Sequence, residues 1–214
     1  MLVAATALAL ALHIAADRAG LRVARALTKI AASSGFIAVA LAAGATSSAW
    51  GQVLLVALGL SMVGDLCLLS RATRPFTAGL VAFLLAHLAY AAAFLVRGVD
   101  LTIAAAAAIA VAVVAVRVAR WVLPHVPAEL RAAVLAYIVA VSGMAILAVA
   151  AGFAARAPAI AAAGVAFFVS DLFVARSRFV APGFHNRLIG LPLYYGAQLL
   201  FALQAGPPAA LVAC

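Results

Sequence analysis

The chain has 214 residues, of which 70% are hydrophobic and only 9% are charged, and its mean hydropathy is +1.28. Soluble domains carry about 25% charged residues, so this composition excludes a water-soluble fold, and its hydrophobicity excludes a disordered chain. The net charge of +9 comes from basic residues spread singly between apolar runs, whereas a nucleic-acid site would cluster them. We therefore expect an integral membrane protein that contacts membrane lipids and no nucleic acid.

Apolar segments of spanning length recur along the whole chain. A membrane-spanning helix needs about 17–25 mostly apolar residues. The pattern predicts an all-α protein, a bundle of eight transmembrane helices that forms one domain over residues 1–214. The predicted helices cover residues 2–16, 27–45, 51–70, 76–96, 101–123, 131–153, 157–175 and 188–205.

The first predicted helix is short enough to be a secretory signal peptide. No Lys or Arg precedes its apolar run, however, and Arg18, Arg22 and Arg25 follow it. A signal peptide has the reverse arrangement, with its positive charge first. We therefore interpret residues 2–16 as a retained helix.

The basic residues predict the orientation of the bundle. Twelve of the 14 Lys and Arg fall in or beside the connections that follow the first, third, fifth and seventh helices, and Arg97 and Arg156 lie at the other end. Lys and Arg are enriched in cytoplasmic connections. We therefore predict that both termini are non-cytoplasmic, in a multi-pass protein of the cell (inner) membrane.

The third and seventh predicted helices end alike. Gly64 precedes Asp65 and Ser170 precedes Asp171, and in both places a Leu and a basic turn follow. Because the two segments lie four helices apart, they would run in the same direction. This suggests two parallel four-helix repeats related by an axis along the membrane normal. Chance similarity in an Ala-rich chain is the alternative.

Two of the five acidic residues lie where a charge is costly. Asp65 precedes Arg71 by six residues and Asp171 precedes Arg176 by five, or roughly 7–9 Å along a helix, which places both in the cytoplasmic half of the hydrocarbon layer. An Asp at the centre of a spanning helix costs about 2.5–3.5 kcal/mol on insertion scales. We therefore expect a shared polar cavity, with hydrogen-bonded packing as the alternative. The other acids fall in connections and suit solvated or capping roles: Asp17, Asp100 and Glu129.

Other polar side chains fall at similar depth. On the fourth helix, His87 and Tyr90 are three residues apart and share a face, although a packing role for His87 alone is as good an interpretation. On the eighth helix, Tyr194 and Gln198 share a face next to Tyr195, about two turns in and below the level of an aromatic belt. Four helices therefore bring polar groups into the interior.

The motifs for metal, nucleotide and serine-nucleophile chemistry do not occur. The four His have no H-x-x-x-H or H-E-x-x-H spacing, and the chain contains no G-x-S-x-G, P-loop or G-x-G-x-x-G. Ser170 is adjacent to Asp171, so the two do not face each other on a helix. We expect no metal and no cofactor, which leaves acid–base chemistry with water, or transport.

The sequence resembles the lysoplasmalogenase (YhhN-like) family of membrane proteins. Four segments carry the resemblance, in the family's order and over nearly the whole chain: Gly64-Asp65-Leu66-Cys67-Leu68-Leu69, Phe83-Leu84-Leu85-Ala86-His87-Leu88-Ala89-Tyr90, Phe168-Val169-Ser170-Asp171 with Arg178-Phe179, and Tyr194-Tyr195-Gly196-Ala197-Gln198. One departure is Lys29-Ile30, where the family often has Lys-Pro.

The resemblance implies hydrolysis of the vinyl ether of a lysoplasmalogen to a fatty aldehyde and a glycerophospho-base. That reaction needs a protonated carboxylic acid and a second group that stabilises a cation or activates water, as in glycoside hydrolysis. Asp65 and Asp171 would form this catalytic pair, and which is acid and which is base stays open. We expect the remaining candidates to bind the lysophospholipid substrate: His87, Tyr90, Ser170, Tyr194, Tyr195 and Gln198.

Basic residues at the cytoplasmic surface would bind the phosphate of that substrate. The candidates are Lys29, Arg71, Arg74, Arg178 and Arg187, whose alternative role is orientation of the protein alone. A non-enzymatic alternative for the whole chain is a proton-coupled transporter of small molecules or lipids, with the two aspartates and His87 as proton sites.

Overall fold

The computed structural model describes residues 1–70 and 72–207 and contains eight α-helices. All eight predicted helices are present, with ends that differ from the prediction by at most five residues. The observed bounds are α1 Leu2–Arg18, α2 Arg22–Ala42, α3 Ala49–Cys67, α4 Thr73–Arg97, α5 Leu101–Val122, α6 Arg131–Ala154, α7 Pro158–Ala175 and α8 Phe184–Leu203. One turn of π-helix, Arg176–Val180, continues α7.

Six helices within the described ranges, α2 to α7, are long and apolar enough to cross a membrane. α1 has only 17 residues. The first turn of α8 contains His185, Asn186 and Arg187, and the helix also contains Pro192, which lowers its mean hydropathy. The protein is therefore an all-α protein of the multi-pass membrane type, while the count of eight spans and the non-cytoplasmic termini stay predictions.

Six helices form a closed ring around the core. Going round it, the neighbours are α2, α3, α4, α6, α7 and α8, and α8 packs against α2 again. α1 lies outside this ring against α2 and α8, and α5 lies outside it against α6. Each helix of the ring has a counterpart four places away in the chain: α2 and α6, α3 and α7, and α4 and α8. The two members of each pair lie opposite each other in the ring, which is the arrangement expected for the two predicted repeats.

Local sequence signals explain several helix ends. α2 begins five residues earlier than predicted, because Gly20 takes a positive φ of 71° and turns the chain within three residues. Ser48 and Asp100 cap α3 and α5 by accepting hydrogen bonds from Gly51 N and Ile103 N. The capping role predicted for Asp100 is therefore confirmed.

Small residues allow the ring helices to approach closely, as expected for helix packing in lipid. A Cβ on Gly64 of α3 would lie 2.5 Å from the ring of Phe83 on α4. A Cβ on Gly164 of α7 would lie 2.3 Å from the Cβ of Ala148 on α6. Glycine at these two positions fixes the spacing of the helices that carry Asp65 and Asp171.

The connections that carry most of the basic residues contact one another at one end of the bundle, which we call the basic end. Arg25 donates to the carbonyl oxygen of Leu69 at 2.6 Å. Arg187 pairs with Asp17, and the guanidinium of Arg178 lies over the ring of Phe76. The connections α1–α2, α3–α4 and α7–α8 therefore meet at this end.

Candidate functional site

A cavity of about 610 Å³ lies at the basic end, inside the ring of helices. Asp65 on α3 and Asp171 on α7 both line it, as do Ser170 and Tyr194. Asp65 lies in the last turn of α3, and Asp171 lies one turn before the end of α7. The two aspartates that the sequence singled out thus reach one shared space.

Asp65 is surrounded by hydrogen-bond donors. Lys29 Nζ lies 2.7 Å from its Oδ1, and its Oδ2 accepts hydrogen bonds from Ser33 at 2.7 Å, Tyr194 at 2.8 Å and Tyr195 at 3.4 Å. The donors come from α2 and α8, the ring neighbours that pack against each other beside α3. Both Lys29 and Asp65 are buried, so the ion pair lies inside the protein.

Asp171 has an imidazole and a phenol as partners. Tyr137 on α6 donates to Asp171 Oδ2 at 2.9 Å, and His87 Nε2 on α4 lies 3.3 Å from the same oxygen. His87 Nδ1 faces the carbonyl oxygen of Phe83 at 2.6 Å, and because a carbonyl only accepts, Nδ1 carries a hydrogen. The partners of Asp171 therefore come from α4 and α6, and the partners of Asp65 come from α8 and α2. These helices are counterparts in the two predicted repeats.

Four predicted substrate-binding residues lie behind the cavity wall. Tyr90 donates to Gln198 Oε1 in a buried pair that joins α4 to α8. Tyr195 contacts Asp65 from the side of Ser33, and His87 is fully buried behind Asp171. Of the six residues predicted to bind substrate, the structure places only Ser170 and Tyr194 on the cavity wall.

A second, almost wholly apolar chamber of about 70 Å³ adjoins the cavity. The walls of the two spaces have seven residues in common: Leu68, Phe76, Phe83, Tyr137, Asp171, Val174 and Arg178. Apolar side chains of α4 to α7 and of the π-helical turn enclose the rest of the chamber, among them Val122, Val134 and Ile138. Asp171 therefore lies where a cavity with polar side chains in its wall meets an apolar chamber.

The basic residues predicted to bind phosphate differ in position. Arg178 and Arg187 line the cavity, and Arg187 also pairs with the half-buried Asp17. Lys29 lines it too, but its ammonium group is paired with Asp65. Arg74 is exposed and lines a separate shallow groove between α3 and α4, and Arg71 lies outside the described residues.

The structure adds residues that the sequence analysis did not select. Tyr137 contacts Asp171, and Ser33 contacts Asp65. Asp17, which we expected to be a solvated or capping residue, is instead only 5% exposed and pairs with Arg25 and Arg187. Neither Ser33 nor Tyr137 had a distinguishing signal in the sequence, because Ser is common where membrane helices pack and Tyr is common near their ends.

The geometry provides two carboxyl groups in one cavity, hydroxyl groups that orient them, and an adjoining space for a hydrocarbon chain. Such a site suits proton transfer to and from an amphiphilic molecule.

No match to the chain is found among curated proteins or among solved structures. The model of the YhhN family matches residues 24–205, a range that includes both aspartates and all of their partners described above. The chain therefore belongs to the YhhN family.

Proposed function

We propose that the protein is a membrane-embedded hydrolase that cleaves the vinyl ether bond of lysoplasmalogens. The observation that carries the proposal is the meeting of a polar cavity and an apolar chamber at Asp171, with Asp65 in the same cavity wall. A lysoplasmalogen has the same division, since its vinyl ether joins a hydrocarbon chain to a polar glycerophospho-base. The proposed substrate is thus matched by the compartments on either side of Asp171.

In the proposed orientation, the alkenyl chain enters the apolar chamber and the phosphate lies towards the basic end. The chamber of about 70 Å³ holds only the part of the chain next to the ether, so the remainder extends between the helices towards lipid. Arg187 lines the cavity alone and Arg178 lines both the cavity and the chamber, so both guanidinium groups adjoin the space proposed for the phosphate. A guanidinium group can bind a phosphate through two parallel hydrogen bonds.

The reaction adds one water molecule to the vinyl ether. A carboxylic acid protonates the alkenyl carbon, the π electrons form the new C–H bond, and the adjoining carbon becomes an oxocarbenium ion. Water adds to that carbon and releases a proton, which gives a hemiacetal. The hemiacetal then breaks its C–O bond, and the products are a fatty aldehyde and a glycerophospho-base. Two carboxyl groups in one cavity support this acid–base sequence.

The test is aldehyde release from an alkenyl lysophospholipid by the purified protein in detergent. We expect activity in the wild type and loss of at least about a hundredfold in Asp65→Asn and in Asp171→Asn, the scale of general acid–base catalysis. Asp100→Asn is the matched control, because Asp100 caps α5 away from the cavity and should change activity little. Absence of aldehyde from folded wild type would contradict the proposal. Substrate flux across vesicles without aldehyde would favour the transporter instead.

A further inference from the structure

The two aspartates have different partners, and the difference assigns their roles. On the basis of the proposed hydrolysis, we propose that Asp171 delivers the proton to the alkenyl carbon, with His87 as the positioning residue behind it. Lys29 keeps Asp65 in the carboxylate form, and this carboxylate stabilises the oxocarbenium ion. The assignment adds three things to the proposed function: the identity of the acid, the role of His87 and the role of Lys29.

The groups around Asp65 donate hydrogen bonds to it, as a carboxylate requires. An ammonium group can only donate, and Lys29 Nζ lies 2.7 Å from Oδ1. The hydroxyl groups of Ser33 and Tyr194 donate to Oδ2. If Asp65 carried a proton, Lys29 would be left as a buried charge without a counter-ion, which is strongly unfavourable. Its surroundings therefore do not provide a transferable proton.

Asp171 and His87 together provide a group that can hold one exchangeable proton. His87 Nδ1 is engaged with the Phe83 carbonyl, so a proton between the two side chains resides either on the carboxyl group or on Nε2. His87 Nε2 is buried and has no aligned hydrogen-bond partner within the described residues. The rings of Tyr137 and Phe167 flank the imidazole at centroid distances of 5.2 and 4.8 Å.

The position of each group determines which of them can reach the substrate. Asp171 lines both the cavity and the apolar chamber, and its side chain is 11% exposed. His87 is 0% exposed and lines neither space. A proton held by this pair can therefore reach the cavity only through Asp171, and His87 acts through Asp171 and not on the substrate itself.

The proton that leaves the pair of Asp171 and His87 in the proposed reaction is returned to it by the end of the cycle. The O–H bond of Asp171 breaks as the new C–H bond forms on the alkenyl carbon, and the oxocarbenium ion develops between Asp171 and the carboxylate of Asp65. The water that adds to this ion returns one proton to the pair of Asp171 and His87. Collapse of the hemiacetal moves its hydroxyl proton to the departing glycerol oxygen, so the site ends in its starting state.

Infrared difference spectroscopy of the purified protein tests the state of Asp65 without any need for activity. We expect Asp65→Asn to leave the carboxylic-acid carbonyl bands of the wild type unchanged near pH 7. Lys29→Met should create a new carboxylic-acid band, and Lys29→Met/Asp65→Asn should lack it. Loss of a carboxylic-acid band in Asp65→Asn, or no new band in Lys29→Met, would overturn the proposal.

The separate values of kcat and KM test His87. His87 contacts Asp171 and lines neither space, so in the proposal it acts on the chemical step and not on substrate binding. We therefore expect His87→Gln to lower kcat by about tenfold or more and to leave KM for the alkenyl lysophospholipid nearly unchanged. His125→Gln is the matched control, because His125 bonds a carbonyl four residues back in the same way but is exposed.

An unchanged kcat in His87→Gln, or a rise in KM that accounts for the whole loss of kcat/KM, would overturn the role of His87. If that variant does not fold, the infrared comparison still decides the state of Asp65. Wild type that releases no aldehyde would contradict the proposed function, while the infrared result would continue to report which aspartate is ionised. The failure of the inference and the failure of the proposed function therefore give different results.

Discussion

Lys29 Nζ and Asp65 Oδ1 lie 2.7 Å apart, and the two side chains are only 7% and 2% exposed. The pair joins α2 to α3 across the cavity wall, together with the hydrogen bond from Ser33. Two opposite charges removed from water are stable only when both are present and well paired. This ion pair therefore links two helices and also surrounds the carboxylate for which we propose a catalytic role.

Removal of one partner of this pair should destabilise the protein more than removal of both. Breaking a buried ion pair costs about 3–5 kcal/mol, because the group left behind must either stay charged without a counter-ion or change its protonation to become neutral. We expect Lys29→Met to lower the thermal unfolding midpoint in detergent clearly, whereas Lys29→Met/Asp65→Leu should regain much of the loss. Equal or additive losses in the two variants would show that the pair does not stabilise the fold.

Tyr137 should contribute to activity through its hydroxyl group, which donates to Asp171. Tyr137→Phe keeps the ring beside His87 and removes one hydrogen bond to the Asp171 carboxyl group. This bond is worth about 1.5–3 kcal/mol once the carboxyl group becomes a carboxylate by giving up its proton. We expect kcat/KM for aldehyde release to fall by about tenfold to a hundredfold, at 1.4 kcal/mol for each factor of ten.

The control for this variant lies on the same helix. Ser142 of α6 is buried, and its hydroxyl group has no hydrogen-bond partner within the described residues. Ser142→Ala therefore removes a hydroxyl without removing a hydrogen bond, and aldehyde release should change little. A similar loss in both variants would assign the effect of Tyr137→Phe to helix packing.

The sequence predicted the helices and the two central aspartates, because both depend on local composition. Eight apolar segments and two acids inside them can be read without knowing how the helices are rotated. The partners of these acids depend on how each helix is rotated about its axis and on which helices pack side by side. Neither property can be read from a short stretch of sequence. Tyr137, six residues after Arg131, resembles a membrane-belt residue in sequence, and only the packing of α6 on α7 directs it to Asp171.

The rotation of α4 and α8 about their axes also determines which of their candidate residues line the cavity and which are buried behind its wall. Tyr194 and Tyr195 are adjacent, and their side chains leave the helix about 100° apart. Tyr194 consequently reaches the cavity, while Tyr195 lies beside Ser33 behind it. His87 and Tyr90 share the face predicted for them, but that face points into the core.

Gly64 should tolerate no side chain, because it packs against Phe83, which lines the cavity. Its Cβ would lie 2.5 Å from the Phe83 ring, and overpacking of this kind costs about 1–3 kcal/mol. We expect Gly64→Ala to lower the unfolding midpoint and to reduce aldehyde release by moving Phe83. Gly59→Ala on the same helix meets nothing within 4 Å and should leave both quantities unchanged or raise stability slightly.

The apolar chamber should determine how long an alkenyl chain the protein accepts. Val134 of α6 is buried in the chamber wall, and Val134→Phe would fill much of a space of about 70 Å³. We expect KM to rise for long-chain alkenyl lysophospholipids and to change less for short-chain ones, because a short chain needs less of the chamber. Val139→Phe, at a residue that is 65% exposed on the opposite side of α6, is the matched control. An equal effect on all chain lengths would place the hydrocarbon chain elsewhere in the bundle.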